Sequence, residues 1–143
     1  MRMQIIPWLD GGLIINDTYN ANPTSMAAAI KTAHEIAAQR PLILVLGDML
    51  ELGRLSEGAH LDIGRQTAEL KPAYLVCVGA EAKGFAKGAE EAGMSSGRIV
   101  ECKNHKEAQE VVLQLAKPGD VILVKGSRGM ALENVVLVLH TRP

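Results

Sequence analysis

Short apolar runs alternate with longer stretches of helical character along this chain, and that alternation most constrains its fold. The runs lie at residues 13–16, 42–46, 74–78, 98–100 and 121–124. They are continuously apolar, as expected for strands that are covered on both faces. Between the runs, apolar residues recur at helical spacing. A first stripe comprises Met26, Ala29, Ile30, Ala33, Ile36 and Ala37, and a second comprises Ala108, Val111, Val112 and Leu115.

Strands that alternate with helices in this way form βαβ units. The pattern therefore predicts an α/β fold, with a mostly parallel sheet of about six strands and helices on both faces. One further strand is expected around residues 4–6, paired through a turn at residues 10–12. Residues 131–139 are apolar without a clear period, so that helix and strand both remain open. No linker or repeat interrupts the chain, and we expect one domain over residues 1–143.

Composition excludes several classes of partner. The 143 residues carry a formal net charge of −1, with fifteen basic and sixteen acidic side chains. Nucleic-acid binding needs a basic surplus, and single strands also need aromatic stacking platforms. This chain has only one Trp, two Tyr and one Phe. We therefore expect no nucleic-acid partner.

No segment has the character of a membrane span or a secretory leader. The longest apolar run, residues 41–47, is far shorter than the roughly 20 residues that cross a bilayer. The two cysteines have no metal-binding spacing, and Cys77 lies inside an apolar run, which favours a buried thiol. These features predict a reducing, cytoplasmic compartment.

Parallel strands bring their carboxyl ends to one edge, where open α/β sheets bind ligands. The first loop at that edge reads NDTYNANPTSM at residues 16–26. Asn22 before Pro23 is typical of a helix N-cap, which explains Asn22 without a ligand. Asp17, Tyr19 and Asn20, ahead of a helix N-terminus, could hold an anion or a metal-bound phosphate.

The second loop, LGDMLELG at residues 46–53, places Asp48 and Glu51 at the same edge. Two carboxylates there could do acid–base work or bind Mg²⁺, or they could cap helices. His60 follows on the next predicted helix. It is either a functional imidazole or a structural one.

The third loop follows a buried strand with the sequence KGSRG and brings Lys125, Ser127 and Arg128 together. Arg can grip a carboxylate or phosphate with two hydrogen bonds, and Lys supplies a point charge. Solvated surface charge is the alternative. The nucleotide-binding motifs GxxxxGK[ST] and GxGxxG are absent from the sequence, and no metal-ligand cluster stands out.

The three segments together resemble the C-terminal domain of the Mur ligases. The matching residues are DTYNANPTSM at 17–26, LGDMLELG at 46–53 with His60 following, and GDVILVKGSRGM at 119–130. They stand in the family's order over essentially the whole chain. DTYNANP resembles the type that adds D-alanyl-D-alanine to UDP-MurNAc-tripeptide.

The resemblance implies a Rossmann-like three-layer domain of an ATP-dependent peptide ligase in peptidoglycan synthesis. In that family the N-terminal domain binds the UDP-linked substrate, and the central domain binds most of the ATP and Mg²⁺. By resemblance, Asp17, Tyr19, Asn20 and Asn22 lie near the ATP phosphates. The loop with Lys125, Ser127 and Arg128 faces the incoming D-Ala-D-Ala. Without the other two domains, this chain is expected to be inactive alone.

Two other functions remain open from the sequence. The chain could be a free-standing module that binds a small ligand. It could also belong to a related ligase of the folylpolyglutamate or cyanophycin synthetase type, although DTYNANP and KGSRGM disfavour this.

Overall fold

The computed structural model describes residues 2–141, so the expected domain of 1–143 extends past them at both ends. The strands are β1 (Gln4–Trp8), β2 (Gly12–Asp17), β3 (Leu42–Gly47), β4 (Tyr74–Val78), β5 (Ile99–Cys102) and β6 (Val121–Lys125). The helices are α1 (Pro23–Ala37), α2 (Ser56–Leu70), α3 (Lys83–Glu91), α4 (His105–Leu115) and α5 (Glu133–His140).

The strands form one six-stranded sheet in the order β1-β2-β6-β3-β4-β5. β1 is antiparallel to β2, and the other neighbouring pairs are parallel. Side chains of α1, α2 and α3 share one apolar cluster with one face of the sheet, while α4 and α5 contribute to a second cluster on the other face. The three-layer α/β architecture expected from the sequence is confirmed.

The structure shifts one expected strand and decides the conformation of one segment that the sequence left open. The strand expected at residues 98–100 begins one residue later and runs to Cys102, because Arg98 closes a short 3₁₀ turn. Residues 131–139 fold mainly as helix α5. Its buried residues Val135, Val136 and Leu139 recur at helical spacing and cover the sheet, which decides between the two open alternatives.

Both cysteines are free thiols buried in the sheet, as expected for Cys77. Burial raises the pKa of Cys77 far above its ordinary value and that of Cys102 to about 11. Neither thiol is therefore ionised near neutral pH. Among the described residues, no helix is both long and apolar enough to span a membrane.

Helices α2 and α3 approach each other to backbone contact. A Cβ atom added at Gly88 of α3 would overlap the carbonyl oxygen of Leu61, and one at Gly64 of α2 would overlap that of Phe85. A Cβ at Gly84 would lie 2.6 Å from the Cβ of His60. These glycines let α3 lie against α2, and through α2 they fix the position of His60.

Replacing Gly88 by Ala should destabilise the fold by about 1–3 kcal/mol or more, because backbone atoms would have to move apart. Gly58 on α2 is the matched control, since a Cβ there meets nothing within 4 Å. Gly58→Ala should stabilise by about 0.5–1 kcal/mol through helix propensity. Thermal unfolding of the two variants measures both effects. Equal melting temperatures would contradict the backbone contact.

Candidate functional site

The loops that follow β2, β3 and β6 meet at the carboxyl edge of the sheet. β6 lies between β2 and β3, and its last residue Lys125 is in register with Asp17 on one side and Leu46 on the other. The helices that follow β2 and β3 cover one face of the sheet, whereas α5 after β6 covers the other. Chains that leave neighbouring strands toward opposite faces open a crevice, where α/β proteins bind ligands.

A buried ion pair joins the ends of β2 and β6. The ammonium Nζ of Lys125 lies 2.8 Å from Oδ2 of Asp17, and the two side chains are 3% and 8% exposed. Nζ also donates to the backbone carbonyl of Asn20 at 3.1 Å. The structure thus brings these three predicted site residues together. Two donors of Lys125 are already engaged within the protein.

The 18–22 loop between β2 and α1 combines a helix cap with an exposed ring. The Asn22 side chain accepts the Ser25 N–H at 2.9 Å, and the Ser25 hydroxyl accepts the Asn22 N–H, so that the expected N-cap is confirmed as a capping box. Tyr19 is 38% exposed. The guanidinium carbons of Arg2 and Arg128 lie 4.2 and 5.5 Å from the centroid of its ring.

In the 48–52 loop after β3, the Asp48 side chain points toward the start of α3 and away from the crevice. Oδ1 of Asp48 accepts the Ala82 N–H at 2.7 Å, just before helix α3. Burial raises the pKa of Asp48, an effect partly offset by hydrogen bonds from the backbone of Ala82 and Glu81. Glu51 is exposed and has a φ of +64°. The structure therefore does not bring the two carboxylates to a common site.

The 126–130 loop is fixed by Ser127, which is 5% exposed. Its Oγ accepts the Leu50 N–H at 2.8 Å and donates to the Ala21 carbonyl at 3.4 Å, while its own N–H donates to the Asp48 carbonyl at 3.0 Å. Ser127 thus connects all three loops. The next residue, Arg128, is exposed.

His60 lies beneath the 48–52 loop and is fully buried. Its Nε2 accepts the Met49 N–H at 3.0 Å, and its Nδ1 lies 2.7 Å from the Ser56 carbonyl oxygen. This pairing assigns the ring proton to Nδ1. Both nitrogens are used within the protein, so the imidazole is placed as a support for the loop.

A groove of about 380 Å³ runs beside the ion pair of Lys125 and Asp17, between the N-terminal segment and α1. Its polar lining includes Arg2, Tyr19, Asn20, Ser25 and Lys125. Cations beside an exposed aromatic ring suit a ligand that carries phosphate or carboxylate. A larger cavity of about 730 Å³ lies at the opposite edge, beside the C-terminal ends of α1 and α2. Helix C-termini disfavour anions, so the carboxyl edge is the better candidate.

Sequence reasoning missed Arg2, which stands outside every element and motif that it considered. The only available signal was a cation just before the first strand. The backbone groups of Ala21, Asp48 and Leu50 that hold Ser127 were not predicted either, because a loop sequence does not show which backbone groups will be hydrogen-bonded.

An α/β sheet with a cation-lined crevice at the carboxyl ends of its strands is typical of domains that bind small ligands. Among known proteins, the family described as "Mur ligase, glutamate ligase domain" matches residues 1–128. The chain therefore belongs to the Mur ligase family.

Individual relatives agree with this assignment. The chain is 38% identical over 143 residues to the UDP-N-acetylmuramoyl-tripeptide–D-alanyl-D-alanine ligase of Bacillus subtilis, covering 100% of this chain and 31% of that protein. A crystal structure of MurF from Acinetobacter baumannii superposes with a TM-score of 0.82 at 32% identity, covering 99% of this chain and 30% of the other. For MurF from Thermotoga maritima in complex with ADP, the TM-score is 0.76 at 24% identity, with 96% and 30% covered.

These relatives are much longer than the chain. It spans about 30% of the length of each of the three proteins.

Lys125→Met should destabilise the chain by about 3–5 kcal/mol, because it leaves the buried Asp17 carboxylate unpaired. The double variant Lys125→Met/Asp17→Asn should lose less free energy of unfolding than the two single variants lose together, since no buried charge then remains. The exposed pair of Arg65 and Glu91, 3.1 Å apart, is the control, and Arg65→Met should cost at most about 1 kcal/mol. Denaturant unfolding measures all four variants. Additive effects of the Lys125 and Asp17 changes would contradict the pairing.

Proposed function

We propose that this chain is the C-terminal domain of the Mur ligase that adds D-alanyl-D-alanine to UDP-MurNAc-tripeptide in peptidoglycan synthesis. The observation that carries the proposal is the 38% identity to the Bacillus subtilis ligase over every residue of the chain. The partners would be the N-terminal and central domains of the same ligase. A single domain over residues 1–143 and a cytoplasmic setting belong to this proposal, supported by one continuous sheet and by two buried free thiols.

In the proposed reaction, the terminal carboxylate of the tripeptide is activated as an acyl phosphate at the expense of ATP. The amino group of D-Ala-D-Ala then attacks the acyl carbon, and phosphate leaves as the amide forms. The dipeptide's own carboxylate takes no part in this chemistry. It is therefore available as a handle that orients the attacking amine.

Arg128 is the residue in the 126–130 loop best suited to hold that carboxylate. It is exposed, and its guanidinium can donate two parallel hydrogen bonds. Ser127 and Lys125, which were expected at the dipeptide from the sequence, are buried and bonded to protein groups. We assign them the task of positioning the loop.

The groove beside Tyr19 fits the phosphate end of ATP. Arg2 lies 4.2 Å from the centroid of the Tyr19 ring and lines the groove together with Asn20. Bound ATP would supply the phosphoryl group that activates the tripeptide. The carboxylates fit Mg²⁺ less well, because Asp17 is paired with Lys125 and Asp48 caps α3. We therefore assign Mg²⁺ and most of the ATP contacts to the central domain.

A chimeric ligase tests the proposal. In it, this chain replaces the C-terminal third of the Bacillus subtilis enzyme, and ADP release is measured with UDP-MurNAc-tripeptide and each amino substrate. We expect turnover with D-Ala-D-Ala and none with L-glutamate, the substrate that a folylpolyglutamate-type ligase would use. Turnover with glutamate alone would overturn the proposed substrate. A folded chimera without turnover would count against the assignment of the domain.

The chain by itself should release no ADP from ATP and form no peptide bond. Phosphoryl transfer depends on groups that position the triphosphate and its metal, and we assign most of these to the central domain. A coupled ADP assay on the purified chain checks this, with the chimera as the positive control. Mg²⁺-dependent ADP release that co-purifies with the chain would contradict the prediction and favour a self-sufficient module.

Arg128→Ala in the chimera should raise the KM for D-Ala-D-Ala by about 10- to 150-fold, the equivalent of about 1.5–3 kcal/mol for a charge-assisted hydrogen bond. The KM for ATP should stay within a few-fold, and Arg128→Lys should recover little. Arg98→Ala is the control, since Arg98 is an exposed cation beside the cavity at the opposite edge. An unchanged dipeptide KM in Arg128→Ala would remove Arg128 from the dipeptide site.

A further inference from the structure

One peptide unit connects His60 to the 126–130 loop. The peptide between Asp48 and Met49 donates its N–H to Nε2 of His60 at 3.0 Å, and its carbonyl accepts the N–H of Ser127 at 3.0 Å. Because a peptide unit is planar, its N–H and C=O directions cannot change independently. The imidazole therefore sets the direction of the carbonyl that holds Ser127.

The imidazole is itself held from several sides. Nδ1 lies 2.7 Å from the Ser56 carbonyl oxygen, one turn earlier on α2. The ring of Phe85 lies on the other side, with its centroid 4.7 Å away. Gly84 leaves room for the Cβ of His60, since a side chain there would come within 2.6 Å of it. His60 is thus a rigid acceptor beneath the 48–52 loop.

The Met49 N–H has no route to water, because Met49 is 1% exposed. If the imidazole acceptor is removed, the buried Met49 N–H is left without a hydrogen-bond partner. That loss costs free energy, and rotation of the Asp48–Met49 peptide would relieve it. Rotation would turn the Asp48 carbonyl away from Ser127. Ser127 directly precedes Arg128, so the position of that guanidinium depends on the same peptide.

From this geometry we propose that His60 is a positioning residue, which acts through the Asp48–Met49 peptide and Ser127 to hold Arg128 in place for the incoming substrate. The part that concerns the dipeptide rests on the proposed function. The part that concerns the loop does not.

Two substitutions of His60 distinguish the contact of Nε2 with the Met49 N–H from the contact of Nδ1 with the Ser56 carbonyl. His60→Gln extends an amide to about the reach of Nε2 and can still accept from Met49, whereas the amide of His60→Asn reaches only as far as Nδ1. Thr67→Val is the matched control: Thr67 lies on the same helix and is fully buried, and its hydroxyl has no hydrogen-bond partner among the described residues. His60→Leu removes both contacts at once.

The first measurement is amide hydrogen exchange by NMR on the chain itself, under conditions where each variant is folded. The Ser127 amide, which donates to the Asp48 carbonyl and not to His60, should exchange about tenfold faster or more in His60→Asn and His60→Leu. It should stay near the original rate in His60→Gln and Thr67→Val. If His60→Leu does not fold, the contrast between Asn and Gln decides. Equal Ser127 exchange in those two variants would overturn the inference.

The second measurement is steady-state kinetics of the same variants in the chimeric ligase. His60→Asn should raise the KM for D-Ala-D-Ala about tenfold, with the KM for ATP within about twofold, and His60→Gln should restore the dipeptide KM. An inactive parent chimera would count against the proposed function and leave the exchange result standing. Changed exchange with an unchanged dipeptide KM would overturn the link to substrate. A uniform loss of activity in Asn and Gln alike would show a structural role only.

Discussion

The ion pair between Lys125 and Asp17 is the interaction around which the carboxyl edge is built. Each charge would be costly to bury alone, and each is made tolerable by the other and, for Lys125, by the carbonyl of Asn20. The two residues face each other at the ends of β2 and β6, so the pair marks where both strands stop. The start of the 18–22 loop is fixed there, which places Tyr19 beside Arg128.

Most of the polar side chains at this edge serve the loops themselves. Asn22 begins α1, Asp48 caps the start of α3, Ser127 joins three loops and His60 supports one of them. A site that must hold a ligand in one geometry needs such internal support, because a loose loop loses precision. Arg128 and Tyr19 remain exposed at this edge.

The fold followed from the sequence because the buried strands are short, continuously apolar runs, whereas apolar residues recur at helical spacing in the helices between them. The exception was residues 131–139, where apolar residues occupy almost every position and only contact with the sheet selects a helix. At the site, the sequence indicated which loops matter but not which way their side chains point. In the sequence, Lys125 and Arg128 are simply two cations of the same short loop, and nothing distinguishes their roles. Lys125, however, is the last residue of β6, directly opposite Asp17, and Arg128 lies beyond the strand in an exposed turn. That difference depends on strand register, which a single sequence does not reveal.

The strand order has a consequence for synthesis on the ribosome. β6 is the last of the six described strands to be made, yet it lies between β2 and β3 in the middle of the sheet. A nascent chain that has not reached residue 121 can form the β1–β2 hairpin and the β3-β4-β5 sheet, but no strand pairs the one with the other. The two exposed strand edges face a gap of one strand width, and such edges invite wrong pairing. The domain therefore completes its fold only after β6 has been made, when the segment that carries Lys125 and Arg128 inserts between strands made earlier.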